Sequence, residues 1–345
     1  MPHPSTPIIS VILPYRDAEA TIEAAVSSLL AQTLCDIEIL AVDDRSSDGG
    51  PALVERIARA DPRVRPICSD APHGVVAAVN SAWGLCKAEF IARMDADDVS
   101  LPSRLEKQLA LLHSRPELSG ASCQVAVPGA REGFQRYLDW SNGLTEPEDI
   151  LRERFVECPV VNPTMLVRKE AVEQVGGHLD SEWAEDYDLW LRFLAAGHKI
   201  AKVSDRALYV WSDDQADRLT RSDERYSETN FLRARAHYLA QLPDAGRGFA
   251  LCGAGPIGKR LARFLTDEGA RVDRFYDVNQ KRVGEAIHGI PVEPGSPLPG
   301  PESKPDPKDI PLLLSCVGSP GGRDRVRALA KDAGYTEGSD FYCCG

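Results

Sequence analysis

Three carboxylates crowd the stretch EFIARMDADDVSLP, residues 89–102, where Asp95, Asp97 and Asp98 directly follow an apolar run. Carboxylates this close repel one another unless a cation neutralises them, and a D-x-D of oxygen ligands suits a hard divalent ion, Mg²⁺ or Mn²⁺. Such an ion keeps positions open for phosphate oxygens and can offset the charge of a departing diphosphate. The plainer alternative is that the three residues cap the helix starting near Pro102 and solvate a turn. Asp98 stays open between metal support and helix capping. A second acidic group, Glu185, Asp186 and Asp188 in EDYDLW, opens a helix, a position that carboxylates favour through the helix dipole alone.

Elements that could carry these groups to one place are visible in the first hundred residues. IISVILP (8–14), IEILAVDD (37–44), VRPICS (64–69) and EFIARMD (89–95) read as buried strands. Between them lie helical patterns: 18–33, with Ile22, Val26, Leu29 and Leu30 in step, a helix opened by Pro51, 75–88, and 101–118 opened by Pro102. Alternation at this spacing predicts an α/β fold with a doubly wound, mostly parallel sheet, whose ligands sit at the carboxyl ends of the strands. Asp43, Asp44, Asp95, Asp97 and Asp98 all fall at such ends. From 119 to 210 the pattern is less regular, with strand-like ASCQVAV and KIAKVSDRALYVW and helices in EPEDILRERFVE and EDYDLWLRFLAAGH.

A chain of 345 residues predicts two domains. We expect the first over 1–242, ending in a helical extension at 212–242, a linker at 243–248 (PDAGRG), and a smaller α/β domain over 249–345. The net charge is −12, and the acidic excess lies entirely in residues 1–243. Such a body is a poor surface for nucleic acid, whose binding rests on Lys and Arg neutralising phosphates. No apolar run is long enough to span a membrane and no signal peptide opens the chain, so a cytoplasmic protein is expected. Nine cysteines without a CxxC pair read as reduced, mostly buried thiols.

Taken together, ISVILPYRDAEATIEAAVSSLLAQT, IEILAVDDRSSDG, HGVVAAVNSAWGLCKAEFIARMDADDVSLPSRLEKQ, NPTMLVRKEAV and AEDYDLWLRF resemble the inverting glycosyltransferases of family 2, with the GT-A fold. The resemblance covers roughly residues 8–210. It implies a metal-dependent transfer of sugar from a nucleoside diphosphate, UDP being favoured, to a hydroxyl of a glycan or lipid-linked saccharide, a cell-surface polysaccharide precursor. Peripheral membrane contact and an oligomer are compatible with it. It puts Pro14, Tyr15, Arg16, Glu19, Asp44, Asn80 and Asp95 at the donor nucleotide, Asp95 and Asp97 at Mn²⁺ or Mg²⁺, and the general base on Asp186 beside Glu185. An Asp44 carboxylate could accept from the imide N–H of uracil. Trp183, which either stacks on a sugar face or packs beside the helix, and Asp188 are candidates for the acceptor or the diphosphate. Arg218 and Arg221, on a charged stretch, either close over the diphosphate or belong to a solvated linker. Two departures stand out: Arg16-Asp17 replaces a frequent Tyr-Asn, and Asn162 stands where His often precedes Pro-Thr.

Gly253, Gly255 and Gly258 form G-x-G-x-x-G between a strand and a helix, with Asp277 at the next strand end. Such glycines let a phosphate approach a helix N-terminus, and the acidic residue can bond a ribose hydroxyl. Residues 247–345 are similar to Rossmann-like nucleotide-binding domains. A nucleotide, a nucleotide sugar or NAD(P) is the ligand expected, unless the domain is a scaffold. No hydride-transfer set accompanies the fingerprint. The alternatives to sugar transfer are an oxidoreductase or epimerase acting through this domain, or a non-catalytic nucleotide-sugar-binding protein.

Overall fold

The computed structural model describes residues 6–69, 74–212, 223–301, 310–319 and 321–345. Contacts divide the chain into two compact units, one of Met1–Ile150, Pro159–Ser181 and Glu185–Arg218, the other of Leu151–Cys158, Glu182–Ala184 and Leu219–Gly345. From Leu219 onward, the helical extension grouped above with the first domain falls by its contacts in the second unit.

The first unit is built on eight strands: β1 Ile9–Tyr15, β2 Ile37–Asp43, β3 Val64–Cys68, β4 Phe90–Arg93, β5 Val99–Ser100, β6 Leu118–Ala126, β7 Leu166–Arg168 and β8 Lys199–Val210. Their order is β3-β2-β1-β4-β7-β6-β8-β5. β1 to β4 pair in parallel, and β1, β2 and β4, covered on both faces, carry the near-continuous apolar runs such strands show, whereas β3 at the edge is partly exposed. The far half is mixed: β7 runs antiparallel to β4 and β6, β6 parallel to β8, and β5 antiparallel to β8. The helices are α1 Ile22–Leu30, α2 Gly50–Ala60, α3 Val75–Trp83, α4 Arg104–Ser114, α5 Glu132–Gly143, α6 Pro147–Glu153, α7 Lys169–Gln174 and α8 Glu185–Ala195. α6 runs from the first unit into the second.

In the second unit, α9 Glu228–Ala240 precedes β9 Phe249–Cys252, α10 Pro256–Asp267, β10 Val272–Asp277, β11 Ala286–Ile287, β12 Ile290–Pro294, β13 Leu312–Ser315, α11 Gly322–Asp332 and β14 Phe341–Cys343. Strand order is β11-β12-β10-β9-β13-β14, parallel except for the β11–β12 hairpin. The strand order reverses beside β9, where the glycine-rich turn emerges. All nine cysteines are free thiols, and burial pushes adjacent Cys343 and Cys344 up, Cys344 to about 12, which keeps them protonated. Among the described residues no helix is long and apolar enough to cross a membrane.

One buried carboxylate locks the amino-terminal ends of the parallel strands. Glu38 on β2, 5% exposed, accepts from Ser10 Oγ on β1 at 2.6 Å, from the Lys87 N–H at 2.8 Å and from Arg65 on β3. Burial alone would raise it, but these hydrogen bonds and the Arg65 charge hold its carboxyl below the usual 4.5. Its stabilising effect is therefore complete above pH 4.5 and is lost as pH falls through the lower folded-state value. We predict that Glu38→Gln costs about 1–3 kcal/mol at pH 7, and that the gap from wild type closes in urea unfolding below pH 4.5.

Candidate functional site

β4 delivers the carboxylate cluster to the edge of the sheet. The chain turns at once, the Asp98 N–H donating to Asp95 O at 3.4 Å. Ligand oxygens of Asp95, Asp97 and Asp98 all lie within 4.8 Å of one another. Asp95 and Asp97 are half-buried, whereas Asp98 is 1% exposed. Burial, with Asp95 and Asp97 adding repulsion, pushes Asp98 up to about 8. Hydrogen bonds from the Ser212 N–H at 2.9 Å and from Tyr209 Oη at 2.7 Å oppose that rise without cancelling it. Arg93, 8% exposed at the end of β4, sets Nη1 3.2 Å from Asp95 Oδ1. Helix α4 begins after Ser103, and its first turn is met by Gln32, whose Oε1 accepts from the Leu105 N–H at 3.1 Å. Closely spaced acidic oxygens, two of the three side chains reachable from solvent, fit a hard divalent cation.

The loops after β1 and β2 lace together beside this cluster. Asp17, in a left-handed conformation (φ 48°), accepts from the Ser47 N–H at 2.7 Å and Ser47 Oγ at 3.0 Å, while its own N–H donates to Ser46 Oγ. Two residues on, the Glu19 N–H donates to Asp48 at 2.7 Å and Glu19 accepts from the Gly49 N–H at 3.0 Å. A Cβ on Gly49 would sit 2.5 Å from Glu19 Oε1, so a side chain there would displace the Glu19 carboxylate from this bond. Pro14 and buried Tyr15 close β1, and Tyr15 O accepts from the Asp44 N–H at 2.9 Å. Asp44, 6% exposed, in turn accepts from the Gly74 N–H at 3.0 Å. Arg16 is exposed, 3.7 Å from Asp17. Asn80 donates to His178 O at 2.9 Å and so ties α3 to the segment before α8.

Helix α8 opens with Glu185, buried, and Asp186, half-buried. Burial and the Glu185 charge, with a smaller contribution from Asp95, push Asp186 up to about 7. That Asp95 is felt at Asp186 joins the two acidic groups of the sequence in one electrostatic site. Asp188 points elsewhere: it pairs with Arg192 at 2.7 Å, and Arg192 donates to Val175 O and to Gly177 O. Trp183 belongs to the second unit, with its ring 5.2 Å from His237. Arg218 and Arg221 lie outside the described residues.

Sequence reading missed Arg93, Arg104, Tyr209 and His178. Arg104 carried a signal, because it falls in step with Leu105, Gln108, Leu109 and Leu112 on the buried face of α4. His178 is kept neutral by burial, its titration lowered to about 3. It packs edge-on against Trp83.

In the second unit two of the three glycines answer to the protein's own packing. Gly253 has φ +105°, and a Cβ on Gly258 would fall 2.0 Å from Gly253 O. Gly255 has extended backbone, and its nearest neighbour would be Arg282 Nη1 at 4.0 Å. Asp277 is engaged already, accepting from the Ala254 N–H at 2.9 Å, the Asn279 N–H at 2.8 Å and Arg282 Nη1 at 3.0 Å.

The description Glycosyl transferase family 2 matches residues 10–176. An uncharacterized glycosyltransferase of Haemophilus influenzae is 29% identical over 192 residues, spanning 53% of this chain and 59% of its own length. The O-antigen biosynthesis glycosyltransferase WbnJ of Escherichia coli is 31% identical over 193 residues, 54% of this chain and 72% of that protein. Among solved structures, S. aureus TarS 1–349 in complex with UDP-GlcNAc shares the fold with a TM-score of 0.58 at 20% identity, over 74% of this chain and 71% of that one. Its strand-end carboxylates and its relatives agree: the chain belongs to glycosyl transferase family 2.

Proposed function

We propose that the first unit transfers a sugar, with inversion, from a UDP-sugar to a hydroxyl of a glycan or lipid-linked saccharide destined for a surface polysaccharide. The observation that carries this reading is the pairing of two acidic groups: the cluster at Asp95, Asp97 and Asp98, and, within its field, Asp186, whose proton affinity is raised by burial and by Glu185. Asp95 and Asp97 would hold Mn²⁺ or Mg²⁺, which supplies positive charge to the leaving diphosphate. Asp44 accepts from the base and the laced loops of Asp17 and Glu19 line the nucleotide. Asp186 takes the proton of the acceptor hydroxyl as its oxygen attacks the anomeric carbon opposite the departing nucleoside diphosphate. The kinship with an O-antigen enzyme supports the acceptor class, and the fold shared with a UDP-GlcNAc complex supports the donor class.

Purified protein incubated with Mn²⁺, a saccharide acceptor panel and a set of nucleotide sugars should release UDP. Asp97→Ala should lower kcat/KM by about 100-fold or more, as loss of a group stabilising leaving-group charge does; undiminished turnover would remove the cluster from the reaction. For Asp186 the sign follows from its role. Protonated below about 7 it cannot accept a proton, so wild-type kcat/KM should fall as pH drops through that value and level off above it. Asp186→Asn should lose about 100- to 10,000-fold and abolish this acidic limb.

For the second unit we propose that the turn at Gly255 receives a nucleotide phosphate. Gly255 is what favours this, because among the described residues no neighbour comes close enough to require glycine there. Gly255→Val should leave thermal unfolding unchanged yet eliminate heat of binding with UDP-sugars or NAD(P). Equal binding by the variant, or none by wild type, would refute it.

A further inference from the structure

Tyr209, near the end of β8, is wholly buried beneath the turn that carries the three carboxylates. Its single hydroxyl does two things at once: it donates to Asp98 Oδ2 at 2.7 Å and accepts from the Asp95 N–H at 3.3 Å. One proton suffices for both bonds, since a phenol oxygen keeps lone pairs for a donor while its own proton points elsewhere. The first and last carboxylate residues of D-A-D-D are therefore fastened to the same atom, one by its backbone and the other by its side chain. The ring is held in turn by Arg104, whose guanidinium carbon lies 5.1 Å from the ring centroid. Arg104, with no exposed surface, also donates to Pro163 O at 2.8 Å and to Arg93 O at 3.3 Å, the carbonyl at the end of β4.

We infer that Tyr209 is the positioning residue of the carboxylate cluster, setting the spacing of Asp95 from Asp98 and thereby the geometry in which Asp95 and Asp97 meet the cation. Asp98, claimed by the phenol and by the Ser212 N–H, serves as the fixed end of this clamp. Partners behind metal ligands of this kind commonly change metal affinity by about 10- to 100-fold when removed.

The inference rests on the metal reading proposed above, and direct Mn²⁺ binding separates the two. Free Mn²⁺ is followed by electron paramagnetic resonance as the full chain is titrated in the presence of UDP, without turnover. We expect Tyr209→Phe, checked for folding by its thermal unfolding curve, to bind Mn²⁺ about 10- to 100-fold more weakly than wild type. A phenol that merely stabilises the core would lower the melting temperature and leave Mn²⁺ affinity at the wild-type value, and that result overturns the inference alone. Absence of Mn²⁺ binding in wild type overturns the metal reading and this inference with it. Should Tyr209→Phe not fold, Asp98→Ala takes away the acceptor of the same hydrogen bond; unchanged Mn²⁺ affinity in that variant also overturns the assignment.

Discussion

Mutual repulsion of carboxylates at one edge of the sheet is the constraint around which the first unit is built. Asp95, Asp97 and Asp98 stand within a few ångströms of one another, and Asp186 feels Asp95. Two cations answer them, Arg93 directly against Asp95 and Arg104 behind the ring of Tyr209. Both are buried, and a buried guanidinium is costly unless its donors are used and an anion lies near. Arg104 meets these conditions in part: its Nη atoms reach two carbonyls while Nε has no hydrogen-bond partner among the described residues, and Cys123, Tyr209 and Asp98 oppose the loss of basicity that burial imposes. The compensation is partial, which leaves a net negative edge suited to a divalent ion.

The proposed nucleotide side is ordered by a different device. There the acids are spent on backbone N–H groups: Asp17 on Ser47, Glu19 on Gly49, Asp48 on Glu19 and Asp44 on Gly74. Loops held in this way before any ligand arrives lose little conformational freedom on binding, so the rim is preorganised. Charge that would repel a nucleotide's phosphates is thereby partly absorbed by amide dipoles. The cation edge and the amide-laced rim adjoin because β1, β2 and β4 are neighbours in the sheet.

Much of this was legible beforehand where sequence periodicity maps onto burial. β1, β2 and β4 are covered on both faces and read as unbroken apolar runs; the acids at their ends followed directly. The far half resisted because its pairing depends on irregularity. Register shifts fall between Cys123, Gln124 and Val125 on β6 as they pair with β8, and the exposed Ser204, Asp205 and Arg206 interrupt the alternation of β8. No period-2 count carried through such a break can say that Tyr209 points inward. Helix α5, with glycines at 133 and 143 and a mostly polar surface, gave too little apolar stripe to be read. The fingerprint around Gly253 was visible, but not that Arg282, five residues beyond Asp277, would already engage its carboxylate.

The same local chemistry explains how one residue type serves two purposes in this unit. Asp95 and Asp97 reach solvent and so can be desolvated and paired by a cation when one arrives. Asp186 is sheltered beside Glu185, where burial raises its proton affinity toward neutrality. A carboxylate pinned by a cation makes a poor base, since the metal competes with the proton for the same lone pairs. A carboxyl raised to about 7 makes a poor hard-metal ligand at that pH but an efficient proton acceptor. Exchanging the residues would change nothing chemically; exchanging their surroundings would exchange their roles. In the proposed reaction, separation of metal binding from proton transfer is thus a property of burial and neighbouring charge, fixed by where β4 ends and α8 begins.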